Sequence, residues 1–132
     1  MTVTIGIRVV DASAIAAILF EEPEGPAIAL RLTGMILVAP AILDFEMGNI
    51  TLKKCRRHPE LRDGMLRGFS ALATLPVELH PVDRAETMDL ATQAGLSFYD
   101  ASYLWLARSL GVELITLDRK LQVAMQIIGN SS

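Results

Sequence analysis

Ile7-Arg8-Val9-Val10-Asp11-Ala12-Ser13-Ala14-Ile15-Ala16-Ala17-Ile18-Leu19-Phe20 changes character at one residue. Up to Val10, and with Ile5 before it, the stretch is a β-branched run of the kind that forms a buried strand. From Ala12 to Phe20 it reads as a helix, closed by Glu21, Glu22 and Pro23. The change falls on an acid, Asp11, so a strand delivers a carboxylate to its own carboxyl end. The same pattern returns near the other end of the chain. Val112, Leu114, Ile115 and Leu117 form an apolar strand that stops at Asp118, and Arg119 to Ile128 reads as a final helix.

Working outward from these two junctions, strands and helices alternate. Pro26 to Leu32 is a short helix, and Met35 to Ala39 is a strand stopped by Pro40. Ala41 to about Arg57 is helical. Pro59 begins a weaker helix that passes Gly64 and Gly68 and reaches about Ala73, and the two should form a hairpin. Val77 to His80 lies between Pro76 and Pro81, neither of which can donate to a ladder, so it belongs near a sheet edge. Asp83 can cap Arg84 to Ala94 before Gly95, and Ser97 can cap Phe98 to Leu110 before Gly111. Strands separated by helices imply parallel pairing through right-handed crossovers. The expected fold is α/β: a three-layer α/β/α sandwich with a central, mainly parallel sheet of four to five strands, forming one domain over residues 1–132.

The composition sets limits on function. With 132 residues, 52% hydrophobic and 20% charged, the chain folds and has room for one core. Its longest charge-free stretches, Leu32 to Leu43 and Leu121 to Ser132, fall well short of the ~20 apolar residues that a membrane span requires. Arg8 and Asp11 split the first apolar stretch, so no secretory signal is visible and the cytoplasm is the expected location. A net charge of −3 gives no general attraction for polyanions, so any nucleic acid must be held locally. One cysteine, Cys55, and two histidines, His58 and His80, cannot build a Cys/His zinc cage.

In an open α/β sheet, ligands gather at the carboxyl ends of the strands, where Asp11 and Asp118 both stand. Each is also well placed to cap the helix that follows it. Glu46 sits in the first turns of the Ala41 helix, three residues before Asn49, so both project from nearly the same face. Asp100 opens the apolar segment from Phe98 and could serve only to compensate the helix dipole. Carboxylates gathered at one edge are costly without a cation. At ~4 Å and an effective dielectric of ~20, each pair repels by ~4 kcal/mol. Mg²⁺ or Mn²⁺, which prefer hard oxygen ligands, would cancel that cost and support hydrolysis of a phosphodiester.

Four segments carry a resemblance: Val9-Val10-Asp11-Ala12-Ser13-Ala14, Ile42-Leu43-Asp44-Phe45-Glu46-Met47-Gly48-Asn49, Leu96-Ser97-Phe98-Tyr99-Asp100-Ala101 and Leu114-Ile115-Thr116-Leu117-Asp118. In order and spacing they resemble the acidic motifs of PIN-domain ribonucleases, with the closest likeness to the VapC toxins of toxin-antitoxin pairs. The likeness runs from about Arg8 to Leu121. It implies a PIN-like fold and a Mg²⁺- or Mn²⁺-dependent endoribonuclease in which Asp11, Glu46, Asp100 and Asp118 are catalytic and hold the metal. It further implies that Ser13, Asn49 and Thr116 support the acids, that the chain forms a homodimer, and that a cognate antitoxin inserts a basic side chain among the carboxylates. No acid follows Asp118, where many relatives carry one.

Six of the 12 basic residues (Lys53, Lys54, Arg56, Arg57, Arg62 and Arg67) lie between positions 53 and 67. They form either a solvated hairpin tip or a contact to an RNA backbone, the candidates being Lys53, Lys54, Arg56 and Arg57. Tyr99, Tyr103 and Trp105 on the Phe98 helix read as core or interface residues. The helices Ala12 to Phe20 and Phe98 to Leu110 are apolar almost all round, which suggests that some of their surface is covered by a second copy. Two other functions compete: a catalytically inert PIN-like module that binds RNA or protein, and a phosphatase of the haloacid type, which would want an Asp where Ser13 stands.

Overall fold

The computed structural model describes residues 6–129. Its elements in chain order are β1 (Ile7–Val10), α1 (Ala12–Leu19), α2 (Gly25–Leu32), β2 (Ile36–Pro40), α3 (Ile42–Arg57), α4 (Arg62–Ala71), β3 (Val77–His80), α5 (Arg84–Ala94), α6 (Phe98–Leu110), β4 (Glu113–Ile115) and α7 (Arg119–Gly129). The four strands form one sheet in the order β3-β2-β1-β4, with every pairing parallel. Helices cover the sheet as the α/β/α expectation requires. Ile5 lies outside the described residues.

The order of strands is what makes a site. From β1 the chain winds outward through β2 to β3, then crosses back to place β4 on the other side of β1. The winding therefore reverses between β1 and β4, with Val10 paired to Ile115. Just beyond that pair, the carboxyl ends of the two strands leave a crevice, the usual ligand position in open α/β sheets. Val9 and Val10 are fully buried, so the run that decides the fold is also the centre of the core. β3 forms an edge, as its flanking prolines required, and its Glu78 and Leu79 are exposed.

Three local readings are refined. The last strand ends at Ile115 instead of reaching Leu117, because the Thr116 side chain turns to hydrogen-bond Asp11 and Asp118 and the backbone leaves the ladder. The stretch from Pro59 to Ala73 divides into a 3-10 turn at Pro59–Leu61, α4, and a second 3-10 turn at Leu72–Thr74. Gly68 in α4 is a close-packing residue. A Cβ there would stand 2.9 Å from the Phe20 ring and 3.0 Å from the Leu19 carbonyl oxygen.

The reason given for a second copy does not hold. Five residues of α1 are buried within the protomer, where α2, α3 and α4 pack on it. Six residues of α6 are buried against α5, α7 and strands β1, β2 and β4. The apolar circumference of both helices is thus largely covered from inside the same chain.

Candidate active site

Asp11 ends β1 and is only 3% exposed. Its Oδ1 accepts hydrogen bonds from the Ser13 hydroxyl (2.7 Å) and the Ala14 N–H (3.1 Å), the second of which caps α1. Its Oδ2 accepts from the Thr116 hydroxyl. Thr116 Oγ1 in turn accepts from the Asp118 N–H at 2.9 Å, and Ser13 Oγ accepts from the Leu117 N–H at 2.9 Å. These bonds stitch the β1-α1 turn to the β4-α7 turn across the point where the winding reverses. Asp118 Oδ1 accepts from the Leu121 N–H at 3.0 Å and caps α7. Both aspartates are therefore helix caps, and both stand at the crevice.

The other two acids come from helices that pack over this edge. Glu46 is on the second turn of α3, and Asp100 is the third residue of α6, where its N–H donates to the capping Ser97 hydroxyl at 3.1 Å. The four acids act on one another electrostatically. Burial pushes the Asp11 carboxyl above its ordinary range, the surrounding hydrogen bonds oppose this, and the charge of Asp118 adds to it. Burial also raises Asp100, and Asp118 raises it further against the pull of Lys120. Glu46 is raised by burial and by Asp100, Asp11 and Asp118 together, while the Tyr103 hydroxyl opposes the shift. All four predicted acids thus share one electrostatic environment, drawn from four elements far apart in sequence.

Of the predicted supporting residues, Ser13 and Thr116 bond directly to Asp11. Asn49 is exposed on α3, and none of the bonds that hold the acids involves it. Among the basic candidates, Lys53, Arg56 and Arg57 are exposed on the second half of α3. Lys54 is engaged elsewhere: its ammonium pairs with Glu22 at 2.9 Å and lies 5.4 Å from the centre of the Phe20 ring. It ties α3 to the end of α1 and is removed from the free phosphate-binding set.

Among the described residues, no group of three or more Asp, Glu, His or Cys side chains stands close enough together to hold a metal ion as it is. Mutual repulsion and the capping bonds of Asp11 and Asp118 both work against such closeness. The donor chemistry nevertheless suits a hard divalent cation, since every candidate ligand is a carboxylate oxygen. One atom in particular lacks a partner: Glu46 Oε1 is buried and makes no hydrogen bond. A buried carboxylate oxygen that makes no hydrogen bond and feels the charges of three other carboxylates is an acceptor that a cation would satisfy.

The sequence places Tyr103 in the core or an interface, and the structure puts it in the core; its closeness to Glu46 was not foreseen. Tyr103 is 1% exposed, and its hydroxyl reaches toward Glu46 without completing a hydrogen bond. Its spacing was the available signal, because Asp100 and Tyr103 are three residues apart on one helix and share a face.

Comparison with known proteins agrees with this geometry. The family model described as PIN domain matches residues 8–125. The chain belongs to the PIN-domain family. It is 33% identical over 114 residues to Ribonuclease VapC12 of Mycobacterium tuberculosis, covering 86% of this chain and 88% of that protein. It is 49% identical over 57 residues to Exonuclease VapC9 of Pyrobaculum aerophilum, covering 43% of this chain and 38% of that one. The crystal structure of PAE2754 from Pyrobaculum aerophilum matches with a TM-score of 0.72 at 29% identity, over 90% of this chain and 84% of the other. The sarcin-ricin loop cleaving toxin VapC20 of Mycobacterium tuberculosis shares the fold, with a TM-score of 0.58 at 19% identity over 89% of this chain and 94% of that one. The kinship is thus to VapC-type PIN proteins. No described helix is long and apolar enough to cross a membrane.

Proposed function

We propose that the chain is an endoribonuclease that works with Mg²⁺ or Mn²⁺ and serves as the toxin of a toxin-antitoxin pair. The observation that carries the reading is the unpartnered, buried Oε1 of Glu46 among the charges of Asp11, Asp100 and Asp118, at the carboxyl edge of a parallel sheet. The name of the relative Ribonuclease VapC12 supports RNA as the substrate class.

Asp11, Glu46, Asp100 and Asp118 would hold the cation, which when bound supplies Lewis acidity for attack on phosphorus and offsets charge on the phosphodiester oxygens. The chain's own residues prepare that role. Ser13 and Thr116 fix the Asp11 carboxylate in one orientation. The capping bond to Leu121 uses one oxygen of Asp118 and leaves the other free of that bond. The exposed cations Lys53, Arg56 and Arg57 would take the RNA backbone, a contact that needs no base stacking. A basic side chain from the antitoxin, placed among the same acids, would replace the metal's charge and shut the site. Pairing of two copies remains part of the proposal on family likeness, and sedimentation at tens of micromolar tests it.

The test is cleavage of total RNA by the purified chain. Activity should disappear with EDTA, return with Mn²⁺, and be lost in Asp11→Asn and Asp100→Asn. Cleavage that survives EDTA and both substitutions would overturn the proposal. One observation favours the inert binding module instead: Asp11 and Asp118 each cap a helix, a role that requires no metal. In that case RNA binds and none is cut under any of these conditions.

A further inference from the structure

We propose that Tyr103 is a positioning residue whose hydroxyl aims the Glu46 carboxylate into the acidic edge. The inference rests on the metal-dependent reading above and concerns how that site is held. Glu46 Oε1 and Tyr103 Oη are both buried, and neither has a hydrogen-bond partner. Buried polar atoms are seldom left so, and two of them facing each other, one a donor and one an acceptor, form an incomplete pair. Every other group that acts on Glu46 is a carboxylate: Asp100, Asp11 and Asp118. Among the described residues, the phenol is the hydrogen-bond donor that acts on this side chain.

The placement fits the role. Tyr103 lies one turn after Asp100 on α6, so a single helix face presents both a ligand and the group that steadies another ligand on α3. Burial, together with the neighbouring negative charge of Glu46, pushes the phenol ionisation far above its ordinary value, so Tyr103 stays a donor at any working pH. Metal-ligating carboxylates are themselves held by hydrogen bonds, and loss of such an outer partner typically weakens metal binding about 10- to 100-fold.

The experiment is titration of the metal-free chain with Mn²⁺ by calorimetry, for the parent and for Tyr103→Phe, with thermal melts in EDTA alongside. Removing a hydroxyl that has no partner should leave the EDTA melt unchanged or slightly higher, while the Mn²⁺ dissociation constant rises at least tenfold. In a Glu46→Gln background, Tyr103→Phe should have no further effect on Mn²⁺ affinity. A parent that takes up no Mn²⁺ would sink the metal reading and this inference with it. A parent that binds Mn²⁺, with Tyr103→Phe binding within twofold, would overturn the positioning role alone. Should Tyr103→Phe fail to fold, a Tyr99→Phe chain leaves Tyr103 as its one tyrosine. Mn²⁺ should then produce a tyrosine difference band, and its absence counts against the proposal.

Discussion

Asp100→Asn should make the metal-free protein more stable, although it removes a residue proposed to hold the metal. Asp100 sits half-buried on the first turn of α6, and its carboxyl is raised by burial and by the charge of Asp118, with Lys120 and Ser97 opposing. Two full charges at ~4 Å and an effective dielectric of ~20 repel by ~4 kcal/mol. At about twice that separation, with the dielectric about doubled by partial exposure, the same relation gives about 1 kcal/mol. The helix dipole favours the charge by ~0.5 kcal/mol, but the upward shift means that the sum still disfavours the ionised form. An isosteric amide removes the charge without opening a cavity. Net of the dipole, the expected gain is about 0.5 kcal/mol, a rise in Tm of roughly 2 °C for a chain of this size.

The sign with pH follows from the same shift. A carboxyl whose pKa is higher folded than unfolded disfavours the folded state when ionised, so its cost is present at neutral pH. That cost is relieved as pH falls through the raised folded value toward the ordinary 3.8. The advantage of Asp100→Asn in EDTA should therefore be full at pH 7 and shrink on acidification. Added Mn²⁺ should reverse the order, raising the parent more than the variant. Thermal melts in EDTA at pH 7 in which Asp100→Asn unfolds at lower temperature than the parent would refute the reasoning.

Thr116→Val should have the opposite sign, costing about 1 to 3 kcal/mol in urea unfolding, because it leaves a buried oxygen of Asp11 and the Asp118 N–H without their shared partner. Gly68→Ala should cost about 1 to 3 kcal/mol by driving a methyl group against the Phe20 ring and the Leu19 carbonyl, and an unchanged urea midpoint would show that α4 can move away freely. Arg56→Ala and Arg57→Ala should leave stability unchanged, while each weakens RNA binding and lowers the salt slope by about 1. Lys54→Ala should do the reverse, losing up to about 1 kcal/mol of stability with little change in the salt slope.

The fold was legible because its signals are local. A parallel strand buried on both faces must be apolar throughout, so Val9-Val10 and Leu114-Ile115 announced themselves, and their abrupt ends gave the sheet edge. Prolines on both sides of Val77 to His80 placed that strand at the margin by chemistry alone. Glycine was less informative. In α4, Gly68 read as a weak helix former, and its contact with Phe20 depends on a helix nearly fifty residues away. The all-round apolar character of α1 and α6 showed correctly that both are buried, but one-dimensional pattern cannot say whether the cover comes from the same chain.

The acids show why a site is harder to read than a fold. Each aspartate at a strand end invited a choice between helix cap and ligand; the structure shows both capping, and a cap does not exclude a ligand. A carboxylate has two oxygens and about four acceptor positions, so Asp118 caps α7 through Oδ1 with Oδ2 to spare. Asp11 accepts three bonds and still has acceptor capacity on Oδ2. On the metal-dependent proposal, capping orients these side chains for a second task, because the bonds that hold them fix where their remaining lone pairs point. Glu46 has no such bond on Oε1, and for that reason it is the acid whose direction depends most on a neighbour. That neighbour, Tyr103, lies 57 positions later in the chain, where no local spacing could pair the two. What sequence supplies is the set of acids. Their directions come from partners that only the winding of the sheet brings within reach.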